Sequence, residues 1–246
     1  MLHQTKNRFS DLRAAQYFRI GVVAFLTVFF YAAGQNFVSA GETLRNQKLG
    51  YSAYFPTAND PGSSAPLWVT LPAHEIKADQ DVDLWAFSAE KSGWATVSID
   101  MDYARLARIS DAERRIEAVL EDIGRTRQID RQKVVIAGTA TGGMLAISLG
   151  LKYPENYAAV AVASGGALRA VDLAGLMGAR KQNFFMIHGA KNKYMPIEEF
   201  NATVKNLKEY GADVQSKVYP ECDHVLPTRA YSGLISDVTD FLQSKR

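Results

Sequence analysis

From Leu49 onward, short apolar runs alternate with stretches of helical periodicity. Tyr51 to Phe55, Leu67 to Leu71 and Trp94 to Ile99 read as strands, the first two closed by Pro56 and Pro72, with a turn rich in Pro, Gly and Ser from Asn59 to Ser64. Ser110 followed by Glu113 has the form of a capping box, and behind it Ile116, Val119, Leu120 and Ile123 repeat at helical spacing. Tyr157 to Ala163, Asn183 to Ile187 and Val214 to Tyr219 read as three more strands. Ile197, Phe200, Val204 and Leu207 mark a helix ending at Gly211, and Tyr231, Leu234, Ile235, Val238 and Phe241 mark the closing one. Strands alternating with helices specify a mostly parallel sheet with helices on both faces, a three-layer α/β architecture.

The N-terminal forty residues break this pattern. Lys6, Arg8, Arg13 and Arg19 against Asp11 make a basic head, and Ile20 to Gly34 carries no charge. Extended from Tyr17 to Val38, the stretch reaches the length of a membrane span, which takes roughly 17–25 residues. We read residues 1–40 as basic head and anchor, 41–48 as a polar linker, and 49–246 as one domain. The head is expected to stay cytoplasmic and the domain to be exported, periplasmic in a bacterium. Val38-Ser39-Ala40 also fits a cleavage site, so release after Ala40 is the alternative.

Composition changes little: 246 residues, 47% hydrophobic and 22% charged, describe an ordinary globular chain. A net charge of +2 with interspersed signs gives no nucleic-acid stripe. The single cysteine, Cys222, excludes an internal disulfide and a cysteine metal cluster.

Lys133 to Ser148, KVVIAGTATGGMLAIS, holds the most informative spacing. A β-branched strand runs into Gly138-Thr139-Ala140-Thr141-Gly142 and then a small-residue helix, the form of a nucleophile elbow with Ala140 where the nucleophile belongs. With Tyr54-Phe55-Pro56, Pro66-Leu67-Trp68-Val69, Lys152-Tyr153-Pro154-Glu155, the later His188-Gly189 strand and His224 near the end, the chain resembles the α/β-hydrolase superfamily. The likeness covers residues 49–246 and is to small esterases such as dienelactone hydrolases, carboxylesterases and polyhydroxybutyrate-depolymerase-like proteins.

That resemblance implies four catalytic parts, and three are altered. Ala140 has no oxygen to attack an acyl carbon. The acid position, four residues past His188, holds Asn192, which cannot stabilise an imidazolium. Leu71-Pro72-Ala73-His74 stands where Leu-His-Gly forms the oxyanion loop, so Pro72 removes a donor and Ala73 adds a Cβ. His224, the base position, is kept. Thr139 and Thr141 flank the apex and are expected to satisfy the turn, Cys222 to be a buried thiol, Asp223 to point away from His224, Glu198 and Glu199 to be solvated, His74 to be an exposed loop residue, and His188 to be structural.

These gaps lead us to expect no intact catalytic triad, no metal and no cofactor. The expected function is a catalytically inactive, membrane-anchored structural or accessory subunit of a larger membrane complex. Two alternatives stay open. One is an esterase-like hydrolase of residual or altered activity using His224. The other is a binding module that holds a small molecule in the old substrate pocket.

Overall fold

The computed structural model describes residues 41–244 apart from 75, 107, 169–174 and 225–230. The membrane-anchor reading of residues 17–38 and the cleavage reading after Ala40 lie outside the described residues. Among those described, no helix is long and apolar enough to cross a membrane.

Among the described residues eight strands form one sheet: β1 Glu42–Asn46, β2 Tyr51–Phe55, β3 Ala65–Leu71, β4 Ala95–Ile99, β5 Ile129–Thr139, β6 Ala159–Ala163, β7 Asn183–Gly189 and β8 Asp213–Tyr219. Their order is β1-β2-β4-β3-β5-β6-β7-β8. Only β1–β2 and β2–β4 pair antiparallel; the rest are parallel, as crossover helices demand. The helices are α1 Ala78–Ser92, α2 Ile109–Gly124, α3 Thr141–Lys152, α4 Ile197–Glu209 and α5 Tyr231–Ser244.

Strand alternation divides the core in two. Val134 and Ile136 of β5 face the layer built on Ile116, Leu145 and Phe200 of α2, α3 and α4. Val135 and Ala137 face Trp85 of α1 and Val238 and Phe241 of α5. The three-layer expectation holds.

Three local expectations need correction. Residues 42–46, read as linker, form edge strand β1, registered from Glu42 opposite Phe55 to Asn46 opposite Tyr51. A strand with one side in water can be mostly polar, which is why it looked like a tether. Helix α1 went unread because Asp79, Asp81 and Asp83 interrupt its apolar face of Val82, Trp85 and Ala89. Helix α2 begins one residue before Ser110, with Arg108 as its N-cap and Asp111 accepting from the Arg108 amide at 3.1 Å. Glu113 instead turns inward, where it accepts from Asn156 Nδ2 at 2.5 Å and from the Tyr157 hydroxyl.

Asp81 is buried against the sheet, accepting from Ser98 Oγ at 2.9 Å. The Thr70 hydroxyl and Trp85 indole N–H face the same carboxyl without closing a hydrogen bond. Burial pushes its pKa from 3.8 up to about 6, with the neighbouring polar groups opposing the shift. A raised folded pKa means the stabilisation is full below the unfolded pKa and is lost as pH rises through the folded one. We therefore expect Tm to fall between pH 4 and pH 6 through this group. Asp81→Asn should flatten that slope and, at pH 7.5, match or exceed the natural chain by about 1–3 kcal/mol. Paired thermal melts across the range check this; an unchanged slope in the variant would count against it.

Candidate functional site

The site lies at the C-terminal ends of the parallel strands, where the loops after β3, β4, β5, β7 and β8 meet the edge of the sheet. Its centre is the β5–α3 turn. Ala140 takes φ 50°, ψ −114°, a left-handed conformation that costs a non-glycine residue roughly 1–3 kcal/mol. Both its backbone groups are tied: its N–H donates to the Ala163 carbonyl at 2.9 Å, and its carbonyl accepts from the Met144 N–H at 3.1 Å. The turn sits in a space without room for side chains. A Cβ on Gly142 would lie 1.9 Å from the Leu71 carbonyl oxygen, and one on Gly138 would lie 2.3 Å from the Gly142 backbone.

The neighbouring turns follow suit. Ser164, which follows β6, also has a positive φ of 53°, and a Cβ on Gly165 would stand 2.6 Å from the Ala140 carbonyl oxygen. Ser164 is a serine beside the elbow that the sequence pattern did not flag. Its hydroxyl is buried and lacks a hydrogen-bond partner among the described residues, so it is closed to a ligand.

On the other side of the elbow, the loops after β3 and β4 enclose a cleft of about 480 Å³. Pro72, Ala73 and His74 form one wall, and Met101, Tyr103 and Leu106 another. The Tyr103 hydroxyl donates to the Pro72 carbonyl at 2.5 Å, pinning the loop after β3 to the β4 loop. Burial drives the Tyr103 pKa upward, so the phenol stays a donor. Tyr103 was invisible to pattern reading because one aromatic in a loop has no periodicity. His74 is exposed, as expected, and lines the cleft with its ring 6.5 Å from Tyr103. Among the described residues, no group of three His, Cys, Asp or Glu is placed to hold a metal ion.

The remaining positions converge at the junction of the β7 and β8 loops. Lys191 N–H donates to the Cys222 carbonyl at 2.8 Å, and Ala190 N–H donates to the Tyr219 carbonyl at 3.0 Å. Asn192 is buried and caps its own loop, its Oδ1 accepting from the backbone N–H groups of Tyr194 at 3.0 Å and Met195 at 3.1 Å. His188 is wholly buried, its Nε2 against the Met195 carbonyl at 3.0 Å and its ring stacked on Phe200 at 4.7 Å. His224 is half-buried beside Tyr194, ring centres 5.1 Å apart. Burial holds both imidazoles below the usual histidine range; nearby Asp223 partly offsets this for His224, and the Met195 carbonyl does so for His188. Both rings are therefore neutral at pH 7. Cys222 is buried, and Glu198 and Glu199 are exposed in the first turn of α4. Among the described residues no hydrogen bond joins Thr139 or Thr141 to His224.

Chemically, the arrangement has a strained elbow and a histidine but no oxygen nucleophile at the apex. The frame itself should be fragile. Gly142→Ala should destabilise the chain by at least about 3 kcal/mol or prevent folding. Gly62→Ala, at a site with nothing within 4 Å, should change stability by less than about 0.5 kcal/mol. Urea midpoints compare the two, and equal small effects would show that the elbow tolerates a shift.

The profile of the Phospholipase/Carboxylesterase family matches residues 94–244. No curated protein matches the sequence. Several solved structures share the fold. The serine-to-alanine variant of the feruloyl esterase module from Clostridium thermocellum, complexed with sinapinate, aligns with TM-score 0.66 at 12% identity, over 85% of this chain and 89% of that one. Est1E from Butyrivibrio proteoclasticus aligns with TM-score 0.62 at 14% identity, over 83% and 98%. The chain spans 35% of a Bacteroides ovatus dipeptidyl aminopeptidase IV structure and 62% of a thermostable esterase. At such identities the likeness is one of fold. These findings overturn the expectation of an inactive accessory subunit in a membrane complex: the family is one of ester hydrolases, and esterases recur among the structures that share the fold.

Proposed function

Given that the chain belongs to the phospholipase/carboxylesterase family, we propose that it is an ester-directed hydrolase of altered chemistry, acting on small carboxylic esters beside the elbow. In this reading water replaces the serine: its oxygen bonds to the acyl carbon, the alkoxide leaves as the alcohol with a proton, and the acid is released. No acyl-enzyme forms, because Ala140 has no oxygen to be acylated. The carrying observation is the elbow itself. The backbone keeps a strained left-handed turn at Ala140, braced by Gly138, Gly142 and Gly165.

The expected rate is low. Removing the nucleophile from a serine hydrolase costs about 10⁶ in kcat, with roughly 10³–10⁴ over water left to binding and oxyanion contacts. Hydrolysis of p-nitrophenyl acetate should be slow and linear from the first turnover. Ala140→Ser should add a pre-steady-state burst and raise the rate at least about tenfold, and His224→Ala should lower it by a similar factor. A burst from the natural chain, or a rate indifferent to His224→Ala, would remove this mechanism.

Asn192 and Pro72-Ala73 favour a second reading, in which the same pocket holds an ester or its acid without turning it over. Sinapinate, the ligand held by the serine-to-alanine feruloyl esterase module, is the probe: it should raise Tm in a concentration-dependent way. A flat response would discount that reading.

For the N-terminal region, we hold to residues 17–38 as an anchor with the head cytoplasmic and the domain exported, supported by the charge-free run from Ile20 to Gly34. Alkaline carbonate should leave the intact chain in the membrane pellet. A soluble chain beginning at Gly41 would instead establish cleavage after Ala40.

A further inference from the structure

The cleft beside the elbow carries more positive charge than its own structure uses. Ile76, Met101, Tyr103 and Leu106 supply its apolar lining, and Tyr103 joins it to the elbow: the phenol oxygen lies 2.8 Å from where a Cβ on Gly142 would stand. Five charged side chains share the lining, Lys77, Arg105 and Arg115 against Asp100 and Asp102. Arg105 and Asp102 satisfy each other, Nε to Oδ2 at 3.4 Å, on exposed side chains. Asp100 commits its Oδ1 to the Ala78 N–H at 2.9 Å. The described lining is left with one positive charge in excess.

Arg115 is the cation that the fold holds in place. Its Nε donates to the Asp100 carbonyl at 2.7 Å and its Nη2 to the Leu49 carbonyl at 3.1 Å, so two neutral backbone groups fix a half-buried guanidinium. A guanidinium has five N–H donors, which leaves three beyond these two bonds. Among the described residues no carboxylate comes within ion-pair distance of Arg115. A cation already ordered gives up little rotamer freedom on meeting an anion, and its planar fork matches a carboxylate. Asp100 follows β4, two strands from β5 in the sheet, which places this end of the cleft on the order of 10 Å from the elbow at the usual strand spacing. Lys77, exposed at the N-cap of α1, adds a further positive charge to the lining.

We propose that the cleft selects esters that carry a free carboxylate a few carbons from the ester group. The carboxylate sits on Arg115, the stem lies along Ile76, Met101 and Leu106, and the ester group reaches the elbow past Tyr103. Lys77 supplies longer-range attraction. A monoanion matches the single excess charge, whereas a phosphate monoester, at about −1.5 to −2, would bring further negative charge toward Asp100 and Asp102. The inference rests on the ester-directed reading for the group at the elbow; the preference for an anion stands on the cleft alone.

The test is thermal melting of the full chain in a neutral detergent with monomethyl adipate, dimethyl adipate, adipate and methyl phosphate as probes. Monomethyl adipate should raise Tm at a concentration at least about tenfold lower than dimethyl adipate needs. Equal potency of the two, or no response to the half-ester, overturns the inference, and so does methyl phosphate acting at a lower concentration than the half-ester. Adipate as potent as its half-ester would instead keep the anion pocket and remove the ester at its other end, so the two failures are distinguishable. Arg115→Gln should bring half-ester and diester within about twofold of each other. That ratio is taken within one variant, so it is independent of any stability lost with the Leu49 and Asp100 contacts. Should Arg115→Gln not fold, Arg115→Lys and Lys77→Gln should each lower the preference by about threefold. A preference that none of these variants changes overturns the assignment.

Discussion

Everything at the site hangs on one close approach: the backbone of Gly142 against the carbonyl of Leu71. Their separation admits no Cβ, so the first turn of α3 lies directly on the end of β3. Because β3 and β5 are neighbours in the sheet, this contact sets how sharply the chain must reverse after β5. The reversal in turn forces Ala140 into a positive φ. The strain at the apex is therefore imposed by packing between backbone segments, and it does not need a serine. That is how a site can lose its nucleophile and keep its shape.

The loop after β7 has a similar logic. Asn192 still caps the loop after β7 as an aspartate would, because the capping atom is an oxygen in either case. Only the far end of the side chain differs, and that end has no hydrogen-bond partner among the described residues. Stability and polarity are set at opposite ends of one amide.

Much of this was legible in the sequence, for identifiable reasons. Parallel strands buried on both faces are short β-branched runs, and Val134-Val135-Ile136 or Asn183 to Ile187 announce themselves without any partner in view. Ala140, Asn192 and His224 could be placed on the loops after β5, β7 and β8 because glycine spacing and the preceding strand fix their positions. What escaped depended on distant partners. Helix α1 hides behind three aspartates, one of which, Asp81, is buried only because Ser98 of β4 meets it. Tyr103 matters through a carbonyl thirty-one positions away, and no local pattern encodes that. Function was the larger miss, since missing catalytic atoms say what a site has lost and nothing about what it still receives.

Strand β1 carries one last consequence. It covers β2, whose five residues are all buried. A boundary drawn at Leu49, where the apolar pattern starts, would strip that cover and leave Tyr51–Phe55 as a bare, aromatic-rich edge. Such an edge is a template for pairing with any extended chain, including another copy. The few polar residues that resemble a tether thus act as a guard rail: shortening the chain to its apparent domain would trade a soluble sheet for one primed to polymerise.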